Sequence, residues 1–152
     1  MAKPKEYYPP VSFYFKLSFQ GISGQAEASF KEVSGISMEM GVEEIAEGGV
    51  NDFKHRVPTT AKFSNLVLKR GLVTKKSELF QWCQDSIGGG LEQPIKPKII
   101  MVMLLSEKRA PIKSWSFANA WPVKWSISEF DSMKNEVAIE SLEFAYNYFT
   151  VL

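Results

Sequence analysis

From Val11 to Phe19 every second residue is apolar: Val11, Phe13, Phe15, Leu17 and Phe19 alternate with Ser12, Tyr14, Lys16 and Ser18. That period belongs to a strand with one buried face. The same alternation returns along the chain, so a sheet protein is the expectation. Pro9-Pro10 stops whatever precedes it, which leaves residues 1–10 as an arm.

A second strand is expected over residues 26–33, with Ala26, Ala28 and Phe30 on one face, turned back at Ser34-Gly35. Ile36, Met38, Met40 and Val42 alternate again and fade into Glu43, Glu44 and Glu47, a pattern that fits one long bent strand. Residues 48–60 carry two glycines, a proline and no dominant period. They are expected to be a long loop, and long loops in compact domains are usually functional; a surface hairpin is the plainer reading. Phe63 to Lys69 reads as a strand closed by Gly71.

One segment changes period. Leu79, Phe80, Cys83 and Ile87 recur at helical spacing, with Thr74 or Ser77 to cap the start and Gly88 to end it, so a single helix over 77–87 is expected. From Ile95 to Leu105 both phases become apolar, as in a strand covered on two sides. Pro111 opens another strand that continues irregularly past Trp115 to Trp125. Trp121 and Trp125 flank Pro122 and Val123, which suggests an interrupted edge strand. In the last run Leu142, Phe144, Tyr146 and Tyr148 alternate while Val137 and Ile139 keep the other phase. A bulge near Glu140-Ser141 would reconcile them, and a helix is the alternative. The total is seven or eight strands and one helix. The expected fold is mainly β, with two antiparallel sheets forming a small barrel or sandwich and one flanking helix. At 152 residues the chain fits one domain.

Chemistry finds little to build on. His55 is the only histidine, flanked by Lys54 and Arg56, and no nucleophile accompanies it in a known signature. Cys83, the only cysteine, lies on the apolar helix face, where a thiol acts as a small hydrophobe, and it excludes an intrachain disulfide. One His and one Cys in different elements cannot make a zinc set, and Glu43, Glu44 and Glu47 lack calcium-loop spacing. Gly88-Gly89-Gly90 follows a helix and lacks the lysine of a phosphate loop. No catalytic, cofactor-binding or metal residues are assigned. With 18 basic and 17 acidic residues scattered along the chain, no nucleic-acid track stands out. No apolar segment is long enough to span a membrane or to act as a signal peptide, so synthesis in the cytoplasm is expected. A ligand-binding barrel stacking sugars or other flat molecules on Trp115, Trp121 and Trp125 is the alternative function.

Four blocks together carry more information: the opening YPPVSFYFKLSF, the pair Gly48-Gly49 after Glu47, the run NLVLKRG from Asn65 to Gly71, and ANAWPVKWSISEFD followed by NEVAIESLEFAYNYF. In order and spread over nearly the whole chain, they resemble the inner-tube proteins of contractile phage tails and bacterial contractile injection systems. The resemblance implies the tail-tube or Hcp-like barrel, assembled as hexameric rings stacked into a hollow tube. It implies that residues 48–60 reach neighbouring subunits and the next ring, with Val50, Phe53, His55 and Val57 at the contact. It also implies that the helix 77–87 turns outward, with Gln81 and Trp82 toward a sheath, and that Trp121 and Trp125 lie on an interface strand. Partners so implied are further copies of the chain, sheath, baseplate or spike proteins, a tube initiator, a tube terminator and cargo effectors in the lumen, with no membrane insertion by the chain itself. The opening, EGGVNDFKH and PVKWSISEFD resemble the baseplate-proximal initiator paralogue more than the tube body. The particle would be assembled in a bacterial cytoplasm and act as a phage tail or as an extracellular or membrane-anchored device.

Overall fold

The computed structural model describes residues 14–22, 29–46, 55–72, 77–90, 92, 94–128, 133 and 138–152. The expected arm 1–10 and the residues Val50 and Phe53 lie outside them. Among the described residues ten strands and one helix follow in order: β1 (Tyr14–Phe19), β2 (Ser29–Phe30), β3 (Glu32–Ser34), β4 (Met38–Ile45), β5 (His55–Phe63), β6 (Leu66–Gly71), α1 (Glu78–Gly88), β7 (Lys98–Leu105), β8 (Pro111–Ile127), β9 (Ile139–Ala145) and β10 (Tyr148–Val151).

The main sheet runs β2-β1-β7-β8-β9-β6-β3, antiparallel throughout. Its two end strands are neighbours in sequence, separated only by Lys31, whose N–H donates to the Lys69 carbonyl at 2.9 Å. The path therefore closes on itself as a small barrel, and the second expected strand proves to be two short ones that each pair a different wall. Closure of this kind removes the unpaired edges that an open sheet exposes.

Strand β8 makes the closure possible. Its first part pairs β7 from Pro111 to Ala120 and β10 from Trp115 to Ala118, and its second part pairs β9 from Trp121 to Ile127. Between them Asn119 adopts φ 51°, a left-handed conformation that asparagine tolerates better than most residues. A second irregularity falls between Pro122 and Lys124, where a proline can sit without forfeiting a ladder bond. β8 is thus a bent strand whose first part has partners on both sides, whereas its second part, carrying Trp121 and Trp125, pairs with β9 alone among the described residues and is interrupted at Pro122, as an interrupted edge strand is expected to be.

Inside, Phe19 from β1, Phe144 from β9 and Trp82 from α1 meet: Trp82 stacks on Phe144 at 5.6 Å and meets Phe19 edge-on at 6.4 Å. A second aromatic group joins Phe117, Tyr146, Phe149 and Phe63, with Phe117 and Tyr146 edge-to-face at 4.8 Å. Helix α1 starts where Ser77 Oγ accepts the Phe80 N–H at 3.1 Å, with Glu78 in the first turn favoured by the helix dipole. Its buried stripe is Leu79, Trp82 and Cys83. Ile87, expected on that face, is 44% exposed, because the stripe is completed within one turn and the last turn stands clear of the core.

Charge also enters the core. Arg70 Nε donates to Glu140 Oε2 at 2.8 Å, and Trp125 Nε1 donates to Glu140 Oε1 at 2.7 Å. The guanidinium also lies 5.2 Å from the Phe30 ring centroid and donates through Nη2 to the helix cap Ser77 Oγ at 3.4 Å. One ion pair thereby ties together β2, β6, β8, β9 and the start of α1.

Several expectations change. Residues 55–60 form part of β5, paired with β4 from Ile45↔His55 to Met38↔Phe63, so the last six residues of the loop expected over 48–60 are strand, and the remainder of it lies outside the described residues. The apolar period of Met38, Met40 and Val42 belongs to β4, a single strand with a register shift between Met40 and Val42, in keeping with the one long bent strand expected there, and β4 pairs with β5 in a separate two-stranded hairpin. β7 buries Ile100, Val102 and Leu105 but leaves Ile99 exposed and Met101 and Met103 half-buried, so the chain covers one of its faces and not both. The final run is two strands, β9 and β10, and not a helix. Its register against β6 is regular through Glu140 and Ser141, which removes the bulge expected there; even-numbered residues face inward and Ile139 faces out.

Phe144→Ala should cost about 3–5 kcal/mol in urea unfolding, because it empties the meeting point of strands and helix, whereas Ile87→Ala should stay within about 0.5 kcal/mol. Glu140→Gln should cost about 3–5 kcal/mol by leaving the buried guanidinium without its counter-charge.

Tyr146 gives a pH prediction. Burial raises its hydroxyl above the usual 10.0, and among the described residues that oxygen has no hydrogen-bond partner. Below pH 10.0 the group is neutral in both states. As pH rises further the unfolded chain ionises first, so stability falls toward the folded-state value. Tyr146→Phe should leave neutral-pH stability unchanged or higher and should flatten this alkaline loss in denaturation curves.

Candidate assembly surfaces

The hairpin β4–β5 leaves the barrel at one narrow stem. Gly35, at φ 88°, sits so close to the Asn65 carbonyl that a Cβ would overlap it. Beside it the hydroxyls of Ser37 and Ser64 are hydrogen-bonded at 2.7 Å. Phe63 anchors the root by packing on Tyr146 at 5.9 Å and Phe149 at 5.7 Å. Beyond the root the apolar side chains are bare: Met38 is 70% exposed and Met40 62%, and Val42 and Ile45 are exposed too. Cross-strand pairs alternate charge along the same ribbon, with Glu39 opposite Lys62 and Glu44 opposite Arg56. Of the residues expected at the inter-subunit contact, His55 and Val57 fall on β5, exposed and half-buried respectively.

Strand β10 offers a different surface. It pairs with β8 on one side and with no strand on the other among the described residues, and Tyr148 and Val151 are half exposed. Four residues is a short edge, but its N–H and C=O groups are available to a further strand.

Helix α1 presents Gln81 and Asp85 to solvent, hydrogen-bonded to each other at 2.9 Å. Trp82 does not join them. It is 8% exposed, its Nε1 donates to the Lys96 carbonyl at 3.0 Å, and its ring lies on Phe144, so only its edge is open to an outer partner. Its edge forms the floor of a shallow groove bordered by Ile22, Glu78, Asp85, Lys96 and Lys98.

The tryptophans do not form a shelf. Trp125 packs on Phe80 at 5.1 Å and is held by Glu140, and Trp115 lies opposite Val102 on the core side of β8. Trp121 points to the other side of the strand from buried Pro122. His55 and Cys83 are in separate elements, Cys83 buried, and no group of three His, Cys, Asp or Glu suited to a metal occurs among the described residues. No described helix is long and apolar enough to cross a membrane. The family resemblance implies that the arm Met1 to Pro10 and the tail Phe149 to Leu152 are further interface candidates, and the tail falls on β10; that it forms a free strand edge could not be read from the residues, because Tyr148 to Val151 carry no mark distinguishing a one-sided strand from a two-sided one.

The T4-like virus tail tube protein gp19 family model matches residues 11–150. The chain belongs to that family. A solved structure of the anti-feeding prophage baseplate contains a chain 26% identical, with TM-score 0.74, covering 100% of this chain and 97% of that one. A chain from the sheath–tube complex of the PVC extracellular contractile injection system is 24% identical, with TM-score 0.72, over 97% of this chain and 93% of the other. Hcp1 from Flavobacterium johnsoniae shares the fold at 16% identity and TM-score 0.54, over 91% and 94%. No curated protein sequence matches.

Gly35→Ala should disturb the stem, since both the left-handed backbone and the contact with Asn65 exclude a Cβ. The expected result is a chain that keeps its far-ultraviolet spectrum but exposes the hairpin to limited proteolysis sooner than the parent.

Proposed function

We propose that this member of the tail tube family is a structural subunit of the inner tube of a contractile particle. Six copies form a ring, rings stack into a hollow tube, and sheath contraction drives the tube through a target envelope. The observation that carries the reading is the family match over residues 11–150. It is supported by a body whose barrel is closed while two surfaces stay unsatisfied: the bare ribbon β4–β5 and the edge of β10. Head-to-tail contacts between such surfaces close into a ring or continue as a stack. The part played is mechanical, and no step of chemistry is assigned to His55 or Cys83.

Neighbours from a baseplate and from a sheath–tube complex are similar at 26% and 24% identity. The reading accordingly covers both a tube-body subunit and the initiator ring next to the baseplate. Partners on this reading are other copies of the chain, sheath protein, baseplate or spike proteins and a tube terminator, with Gln81 on the exposed side of α1 toward the sheath and cargo effectors in the lumen. The reading assigns inter-ring contact to Val50 and Phe53, with His55 and Val57 on the adjoining start of β5. The complete particle acts as a phage tail or as an extracellular or membrane-anchored device.

Sedimentation and negative-stain microscopy of the purified protein test this directly. Six-membered rings or short tubes are expected, and a chain that stays monomeric at every concentration sinks the reading. Met38→Ser with Met40→Ser should leave the monomer within about 0.5 kcal/mol of the parent while reducing assembly. Phe53→Ala should shift tubes toward single rings without lowering the melting temperature. Small-molecule titration of tryptophan fluorescence separates this function from a ligand-binding barrel: a sugar-dependent change that saturates would favour the latter.

A further inference from the structure

The chain has six methionines, and the fold places them unevenly. Among the described residues none belongs to the buried core, which is built of aliphatic and aromatic side chains and Cys83. Met101 and Met103 are half-buried on β7. Met38 and Met40 are 70% and 62% exposed on β4, and two residues apart in a strand they share one face of the ribbon, opposite Phe63 and Ala61. Met133, between β8 and β9 in sequence, is 90% exposed. Cys83 is 1% exposed, so an oxidant arriving from solvent meets thioethers before it meets the thiol.

Of the apolar side chains left bare on the ribbon, Met38, Met40, Val42 and Ile45, only the two thioethers react with a mild oxidant. Both stand where assembly needs an apolar surface. The sulfur lone pair attacks one oxygen of hydrogen peroxide, the S–O bond forms as the O–O bond breaks, and the second oxygen leaves as water with both protons. Sulfur gives two electrons to the peroxide, and methionine sulfoxide results. We propose that Met38 and Met40 form a reversible peroxide-responsive site that withholds oxidised subunits from assembly, an inference that rests on the tube reading above. A sulfoxide oxygen accepts hydrogen bonds and stays hydrated in the free chain, and an apolar neighbour laid over it must strip that water. The barrel keeps its fold, because no described methionine sits in its core. Subunits already in a ring have the pair covered, so the response acts on the unassembled pool.

The test exposes the purified chain to dilute hydrogen peroxide before assembly. Peptide mass spectrometry reads oxygen uptake at each methionine, and sedimentation reads assembly. Oxidation of Met38 and Met40 should raise the protein concentration needed for rings by about tenfold, with the far-ultraviolet spectrum unchanged. Reductases for both sulfoxide epimers should restore assembly. Met38→Leu with Met40→Leu, which keeps apolar volume, should assemble before and after peroxide, and Met133→Leu should stay as sensitive as the parent. Rings treated after assembly should take up oxygen at the pair more slowly than monomers. An oxidised chain that assembles like the parent overturns the proposal. So does a leucine double variant that peroxide still disables, a lost far-ultraviolet spectrum, or equal oxidation rates in rings and monomers. If the leucines themselves prevent assembly, rescue of the oxidised parent decides, and no rescue overturns the proposal. A parent that forms no rings before oxidant is added overturns the tube reading and this inference with it, whereas rings that form and ignore the oxidation overturn this inference alone.

Discussion

Backbone hydrogen bonding at strand edges is the constraint from which the architecture follows. Each unpaired N–H and C=O on a sheet margin must find water, a neighbour or another part of the same sheet. This chain solves most of the problem internally, through the single residue Lys31 that lets β2 serve β1 and β3 serve β6. What closure does not consume is informative. The ribbon β4–β5 stands outside the barrel with Met38, Met40, Val42 and Ile45 exposed, and β10 hangs on one side of β8 with a free edge among the described residues.

The core explains how such leftover surfaces can be presented without loosening the body. Trp82, Phe19 and Phe144 join the helix to both walls, and the Arg70–Glu140 pair adds directional bonds to Trp125 and the helix cap. A buried pair of this sort adds little net stability against an apolar substitute but is costly to break from one side. Its contribution here is to fix the relative placement of α1 and three strands, which a tube wall under axial load requires.

Much of this was legible in the residues. The alternation of Phe15, Leu17 and Phe19, the helical spacing of Leu79 and Cys83 and the stop at Gly88 read correctly, because local pattern and tertiary environment agree there. The four family blocks supplied the rest of the fold. Misreadings arose where pattern and environment part. Met38, Met40 and Val42 alternate like a core strand yet face outward on the hairpin, since alternation records which residues share a side and not what covers that side. Trp82 looked available on a helix surface, but indole size lets it cross the barrel to Phe144. Pro122 suggested an interrupted edge, and the second part of β8 does pair on one side only, with a register irregularity at the proline, although the same strand has partners on both sides further back. Residues 55–60 lacked a period because Pro58 and the shift between Met40 and Val42 break it, although the strand itself continues.

The position of β9 has a temporal consequence. It lies between β6 and β8, and β1 likewise finds its place beside β7 only after most of the chain has been made, as the bond from Ile99 to Gln20 across 79 residues illustrates. Contacts of such long sequence separation form late and slowly. A nascent chain on the ribosome therefore holds the hairpin and the first strands well before any barrel exists to orient them. The edge of β10, from Tyr148 to Val151, is among the last to take its place, so the surfaces offered for assembly are arranged only once these late pairings form.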